Sequence, residues 1–402
     1  MSPHRVAAPP WALVGLVAVA ANLRTVMASV PPLAPAIAAD LGLSNAALGT
    51  LTTLPVLCMG VFAPAGQRLA DRLGAPAAVA AAVACLVVGT ALRLLGGWVW
   101  PLYAGTVVAG VGIAVGGTLV PGLVKALFPP LRAGLVTGLT MVAMMGGASA
   151  SSALAVPLMH RLGSWQGSLA SWSVLAVVGL LLWWPVVRAA RRPRRPPTAG
   201  RWAAQPPAPR TRLPWHHPTA WLVALYLATQ SWQFYSSLAW LAPTYVARGW
   251  DPTHAGYLLS AFSFAQLVSG LAGPALSDRV HDHRLLLLAA AGLGLAGQLG
   301  LWLAPGAAPW LWAVVVGLGQ GGAFAMGLVL LVDVAASPAG SGRLAGMAFL
   351  ISYTVASLGP ATMGLVRDAT GGFDGVWASL AALMLVQVAL AWRLRPGLPR
   401  VD

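Results

Sequence analysis

The chain has 402 residues, 58% of them hydrophobic and only 8% charged, with a formal net charge of +15. An ordinary soluble domain carries about a quarter charged residues, so this composition excludes one and leaves the bilayer as the protein's solvent. A crossing takes about 20 apolar residues, and the length leaves room for about twelve of them.

Hydropathy predicts spans over residues 11–37, 46–66, 76–96, 99–125, 134–158 and 165–187, then over 218–246, 254–276, 285–304, 309–333, 343–366 and 374–394. The first stretch runs past Asn22 and Arg24 into Pro31-Pro32, too long and too interrupted for a cleaved signal peptide. It is expected to stay as the first span. Arg24 falls about thirteen residues into it, or about 20 Å along a helix rising about 1.5 Å per residue, which is near mid-depth. An arginine there costs about 2.5–3.5 kcal/mol on insertion scales and is a functional candidate by default.

All nine acidic residues are Asp. They fall in loops or at span ends, and none of the seven histidines lies mid-span. With no buried carboxylate to pair with, the expected counter-ion of Arg24 is an anionic or strongly polar substrate. The structural alternative is an arginine tied to backbone carbonyls at a helix break, since Pro31, Pro32 and Pro35 free such carbonyls nearby. Asn22 is a second candidate, but on a regular helix Arg24 points well away from it, so both reach one cavity only if the backbone is distorted.

Cys58 and Cys85 lie inside predicted spans and read as small apolar packers rather than a disulfide or metal framework. Between the second and third spans stands Gly66-Gln67-Arg68-Leu69-Ala70-Asp71-Arg72-Leu73-Gly74, echoed between the eighth and ninth by Gly273-Pro274-Ala275-Leu276-Ser277-Asp278-Arg279. The echo is part of a longer repeat. Gly42, Gly49, Gly66, Asp71, Arg72, Gly110 and Gly112 recur 207 positions later as Gly249, Gly256, Gly273, Asp278, Arg279, Gly317 and Gly319, which implies two copies of one membrane unit.

Residues 188–217 break the apolar pattern with eight arginines among seven prolines and cannot bury a core, so they are expected to form a cytoplasmic linker. The predicted organisation is therefore a bundle over 1–187, the linker over 188–217 and a second bundle over 218–402. With both termini in the cytoplasm, 19 of the 24 Lys and Arg lie on that side, while Arg93, Arg161, Arg248 and Arg367 face the other. This positive-inside bias accounts for the basic charge without a nucleic-acid partner.

The seventh span carries Tyr226, Gln230, Gln233 and Ser237 at helical spacing, a polar stripe that must face a cavity or a partner helix. The adjacent Phe234, Tyr235 and Trp240 would supply aromatic walls, and Gln230 and Tyr235 are candidates to touch substrate. In the tenth span Gln320 sits among Gly317, Gly319, Gly321 and Gly322, as a site donor or an interhelical bond. Gln266 and Tyr353 are weaker candidates. The sequence holds no phosphate loop, HExxH motif or Ser/His/Asp set, so no enzyme, cofactor or metal is expected.

The paired Asp-Arg loops resemble the G-x-x-x-D-R-x-G signature of the major facilitator superfamily. Asn22-Leu23-Arg24, Ser29-Val30-Pro31-Pro32-Leu33-Ala34-Pro35, Leu51-Thr52-Thr53-Leu54-Pro55, Trp240-Leu241-Ala242-Pro243 and Gly359-Pro360 to Asp368 are similar to its cyanate/nitroimidazole (CynX/NimT-type) branch. Pro32 departs from that pattern, where a Gly is usual, and so does Val332-Asp333, where a basic residue often ends the tenth span. The resemblance implies an all-α membrane fold of twelve transmembrane helices in two pseudo-symmetric six-helix bundles. It also implies alternating access about a midplane site in a monomer of the bacterial inner membrane, with a small anionic or polar solute as cargo. Gly66, Asp71, Arg72, Gly273, Asp278 and Arg279 would then regulate opening on the cytoplasmic side. The rival readings are a cationic-drug exporter, which would want a mid-membrane carboxylate, and a membrane-embedded enzyme or receptor, which would need catalytic groups or a large soluble domain.

Overall fold

The computed structural model describes residues 10–95, 97–191, 213–277, 279–280 and 282–401. Regular structure among them is helical apart from one bridge between Ala335 and Val401. The first crossing is built from two pieces, α1 (Pro10–Ala28) and α2 (Ala34–Leu41), joined by a 3-10 turn at Pro31–Leu33. The rest of the first half comprises α3 (Asn45–Leu73), α4 (Ala75–Ala91), α5 (Val99–Leu127), α6 (Pro130–Leu162) and α7 (Trp165–Arg191). The second half holds α8 (Pro218–Ala247), α9 (Pro252–Ser277), α10 (His283–Leu303), α11 (Pro309–Asp333), α12 (Pro338–Thr370) and α13 (Asp374–Arg393). Most of the expected linker, residues 192–212, and Asp278 lie outside the described residues.

Eleven helical segments are long and apolar enough to cross a membrane by length and composition. The element outside that set is α8. It is 30 residues long, but Gln230, Ser231, Gln233, Ser236 and Ser237 lower its hydropathy, and all five are buried. Its polar groups are hidden from lipid by the second half folded around it. On the outside of the molecule the exposed residues are large and apolar, Val174, Leu181, Leu135 and Leu365 among them, as a surface that meets acyl chains requires.

The first crossing breaks where its prolines stand. Ser29 N–H still donates to Thr25 O at 3.1 Å, but Pro31 and Pro32 have no N–H to continue the ladder. The chain turns through the 3-10 segment and resumes at Ala34, whose N–H takes Pro31 O. Gly42 then ends α2 in the left-handed region at φ 62°, and Ser44 caps α3 by accepting from Ala47 N–H.

The repeat read from the sequence has a packing reason. Gly110 lets α5 close on Pro55 and Cys58 of α3, and Gly317 lets α11 close on Phe262 and Ala265 of α9. The same equivalence holds across the seam between the halves, which is formed by α3 against α12 and α6 against α9. A Cβ on Gly49 would collide with Pro360 O of α12, and one on Gly256 would lie 2.7 Å from Ser152 O of α6. Both approaches sit towards the end of the bundle opposite the chain termini.

Gly49→Val therefore forces the seam apart, whereas Gly117→Val, at a position with nothing within 4 Å, does not. The first is expected to cost about 1–3 kcal/mol as overpacking and the second less than about 0.5 kcal/mol. Thermal denaturation of the purified proteins in detergent, followed by chromatographic monodispersity, measures the difference.

Candidate functional site

Arg24 is half-buried on α1 and reaches across the seam to α8. Its Nη1 donates to the Tyr235 hydroxyl at 3.2 Å. The guanidinium carbon lies 5.2 Å from the Phe234 ring centre and 5.6 Å from that of Tyr235. The two rings meet each other edge to face at 4.7 Å, so consecutive residues of one helix present two aromatic surfaces to one cation. Each such contact contributes about 0.5–2 kcal/mol depending on desolvation, which offsets part of the cost of an arginine at this depth. Among the described residues Arg24 has no carboxylate and no backbone carbonyl as partner.

The Tyr235 hydroxyl also lies 3.7 Å from Met59 Sδ of α3, so this side chain of the second half is held between two residues of the first. Opposite Met59, Gly60 leaves room for Tyr353 of α12, whose Cβ would stand 3.5 Å from a Cβ placed on that glycine. Tyr353 is stacked on Phe349 at 5.8 Å and lies within electrostatic range of Arg24 and Tyr235.

The other sequence candidates are placed elsewhere. Asn22 is buried and donates to Ala18 O at 2.8 Å and to Leu175 O of α7 at 3.2 Å, so its amide faces the interior of the first half. Gln230 donates to Gln320 O at 3.2 Å and lies 3.4 Å from Gln320 Oε1, tying α8 to α11 inside the second half. Ser231 and Ser352 extend that cluster at 2.8 Å. Gln233 turns to Gln298 of α10 and Met384 of α13. Of the two faces open to the polar stripe, partner helices take it, while Phe234 and Tyr235 look to the seam.

Among the described residues of the first Asp-Arg loop, Asp71 accepts from Gln67 within its own helix at 3.2 Å, and Arg72 is exposed with no partner. Gly66 packs against Val115 and Thr118 of α5, and Gly273 against Ala325 of α11. Arg279 makes a turn through its N–H to Leu276 O at 3.0 Å. Among the described residues of the two loops, none makes a hydrogen bond or ion pair that bridges the halves.

The charged contact that does bridge them is at the opposite end. Asp368, in the last turns of α12, accepts from Asn45 N–H at 3.2 Å, Ala46 N–H at 2.9 Å and Asn45 Nδ2 at 2.7 Å. The two backbone N–H groups are first-turn donors of α3, which have no intrahelical acceptor, and the helix dipole adds to the attraction for a carboxylate. On the second seam Ser149 Oγ of α6 and Ser260 Oγ of α9 meet at 2.6 Å. In sequence Asp368 is one more acidic residue at a span end, and nothing in its own neighbourhood shows which helix start lies against it.

A second arginine also departs from the sequence reading. Arg93, expected to face the far side, is fully buried, at the 3-10 turn Leu92–Leu95 that follows α4. Two cavities, about 380 Å³ around Arg284, Asp333, Arg395 and Arg400 at the end carrying the termini and about 580 Å³ around Asp40, His160 and Trp165 at the other, lie away from Arg24.

The fold and sequence both have known counterparts. A crystal structure of a bacterial homolog of the human lysosomal transporter Spinster, inward-facing and unoccupied, superposes with a TM-score of 0.74 at 15% identity, covering 96% of this chain and 97% of that one. The 2-nitroimidazole transporter of Escherichia coli K12 is 31% identical over 93% of this chain and 92% of its own. The cyanate transport protein CynX of the same organism is 31% identical over 96% and 97%. The family model described as Major Facilitator Superfamily matches residues 16–360 and 237–400. A match running through both halves, with relatives above 30% identity over nearly the full length, means that the chain belongs to the Major Facilitator Superfamily and is a transporter rather than an enzyme.

Proposed function

We propose that this transporter carries a small anionic or electron-rich polar solute, of the cyanate or nitroimidazole kind, across the bacterial inner membrane, and that Arg24 binds it. The supporting observation is the state of Arg24: a partly open guanidinium in the seam, opposed by no carboxylate or carbonyl among the described residues, with one neutral hydroxyl and two ring faces as its partners. A guanidinium has five N–H donors in a planar fork, and one is engaged by Tyr235. That bond to a neutral hydroxyl is exchangeable, and the fork as a whole suits the oxygens of a nitro group or the ends of a linear anion, while the flat walls of Phe234 and Tyr235 suit a thin or planar guest. A cationic drug would meet like charge at this point, which disfavours the exporter reading.

The alternating-access cycle follows from where the halves touch. The inter-half contacts run from Asp368 and Asn45 through Gly49 and Pro360 to Gly60 and Tyr353 on one seam, and from Gly256 to Ser149 on the other. They seal the end opposite the termini and leave the approach to Arg24 from the end that carries them. With the termini cytoplasmic, as the charge bias requires, this is the inward-facing arrangement of a monomeric transporter. In the opposite state the Asp368 cap on α3 opens, and the Asp-Arg loops at Asp71 and Asp278 close the cytoplasmic side. No mid-membrane Asp, Glu or His occurs in the sequence, so a coupled proton travels on the substrate rather than on the protein, or there is none.

A flux panel of labelled cyanate, nitrite and 2-nitroimidazole in proteoliposomes tests the binding role. Arg24→Ala is expected to lower flux at least about 30-fold, the scale of truncating one partner of a hydrogen-bonded charge pair, about 2 kcal/mol or more, in protein that remains folded. Arg24→Lys should keep part, since it retains the charge and loses the fork. Unchanged flux in Arg24→Ala would remove Arg24 from the site.

For the gate, Asp368→Ala removes a helix cap worth about 0.5–2 kcal/mol, and the sealed state should lose a corresponding factor of about 2–30. In a background with Cys58 and Cys85 replaced by Ala, Ser260→Cys reports it. Labelling by a membrane-impermeant maleimide from the side opposite the termini should accelerate by that factor when Asp368→Ala is added.

A further inference from the structure

Arg93 is among the largest fully buried side chains of the protein, yet among the described residues it makes no ion pair. Its Nη1 donates to Val26 O at 3.2 Å and its Nη2 to Thr106 Oγ1 at 3.0 Å, while Nε has no partner. Thr106 in turn donates to Leu102 O at 2.7 Å, which fixes the hydroxyl as an acceptor towards the guanidinium. The stem of Arg93 runs past Gly105, where a Cβ would stand 3.3 Å from Arg93 Cγ. The neighbouring backbone approach of Gly89 to Gly105 brings α4 and α5 together and steers this side chain towards α1.

Val26 is where the first crossing fails. Ser29 N–H is the last to fold back regularly, onto Thr25 O, so Val26 O is the first carbonyl past the end of the ladder. Two side chains from other helices cover the break: Arg93 on Val26 O, and Ser152 of α6 on Ala28 O at 3.0 Å. The capping of Val26 O, which Val30 N–H does not reach, thus falls to Arg93. Arg24, two residues before Val26, is left without that task and with its fork towards Tyr235.

We propose that Arg93 is a positioning residue for Arg24, pinning the start of the helix break so that the substrate-facing guanidinium keeps its depth and direction. This rests on the reading of Arg24 as the binding group. Were Arg93 absent, Val26 O would be a bare acceptor in a low-dielectric interior, and Arg24 is the nearest cation along the chain able to answer it. Arg93 would then be felt as a loss of substrate affinity transmitted through Arg24, not as a separate contact with substrate.

A double-mutant cycle on substrate flux in proteoliposomes, with labelled cyanate, nitrite and 2-nitroimidazole as probes, tests this. Arg93→Lys keeps the charge but cannot span both acceptors, and is expected to raise KM about five-fold with the maximal rate within about two-fold, the pattern of lost binding by misplacement. In an Arg24→Lys background the same change should add less than about two-fold, because the geometry it protects is already gone. Thr106→Val, which removes one anchor of Arg93 at near-constant volume, should raise KM about two-fold and serves if Arg93→Lys does not fold. An unchanged KM in both variants, or penalties that multiply in the Arg24→Lys background, would overturn the positioning role while leaving Arg24 in place. Normal flux in Arg24→Ala would instead defeat the binding reading, and the positioning role with it.

Discussion

In hydrocarbon a freed carbonyl or a buried charge finds no water, so each must be answered by another group of the protein. That constraint organises the first crossing. Pro31 and Pro32 interrupt its ladder, and Ser152 and Arg93, from two different helices, answer Ala28 O and Val26 O. The break can then be sharp without leaving unsatisfied carbonyls at those two positions, and it brings the 3-10 turn against α8 and α9 of the other half. Two arginines near one break have divided the work: Arg93 is taken by a backbone carbonyl and Thr106, and Arg24 is left, among the described residues, with aromatic and hydroxyl partners.

Duplication explains why the seam is built as a crossed pair. Gly49 against Pro360 and Gly256 against Ser152 are the same close approach made twice, each half offering a glycine to the backbone of the other. The polar seals laid over these approaches differ. On the α3–α12 side a carboxylate caps a helix start, and on the α6–α9 side two serines share a hydrogen bond. A charged cap draws on the helix dipole of the first turn as a neutral hydroxyl pair does not, so the two seams are held by different chemistry over the same backbone approach.

Much of the architecture was legible before any coordinates, because hydropathy and a fixed-interval repeat report directly on a membrane solvent and on backbone approach. Arg24 stands out in the sequence for the same reason, a charge at mid-depth being expensive, and its binding role remains the proposal made above. Direction was less so. Gln230 and Gln320 were each visible as polar groups in apolar helices, but a stripe satisfied between helices and one facing a cleft have the same period. Arg93 lay near the end of its predicted span, where arginine is ordinary, and only the 3-10 turn after α4 draws it inward. Met59 carried no signal, since a thioether in a membrane helix reads as packing. Asp368 carried one, but the helix start it caps is more than 300 residues away in sequence.

The partner of Arg24 in this arrangement bears on how a cycle could run. A carboxylate in the place of the Tyr235 hydroxyl would hold the guanidinium by a buried ion pair, and breaking such a pair costs about 3–5 kcal/mol. A hydrogen bond between a charged and a neutral group contributes about 1.5–3 kcal/mol, a difference that an arriving anion can supply with its own charge-assisted bonds. The rings of Phe234 and Tyr235 need not move for that exchange, so their stabilisation of the cation persists through it. Because Tyr235 belongs to the second half and Arg24 to the first, replacing one hydrogen bond by the substrate's also removes a tie across the seam. On the proposed binding role of Arg24, binding and the release of the halves are coupled through the Tyr235 hydroxyl.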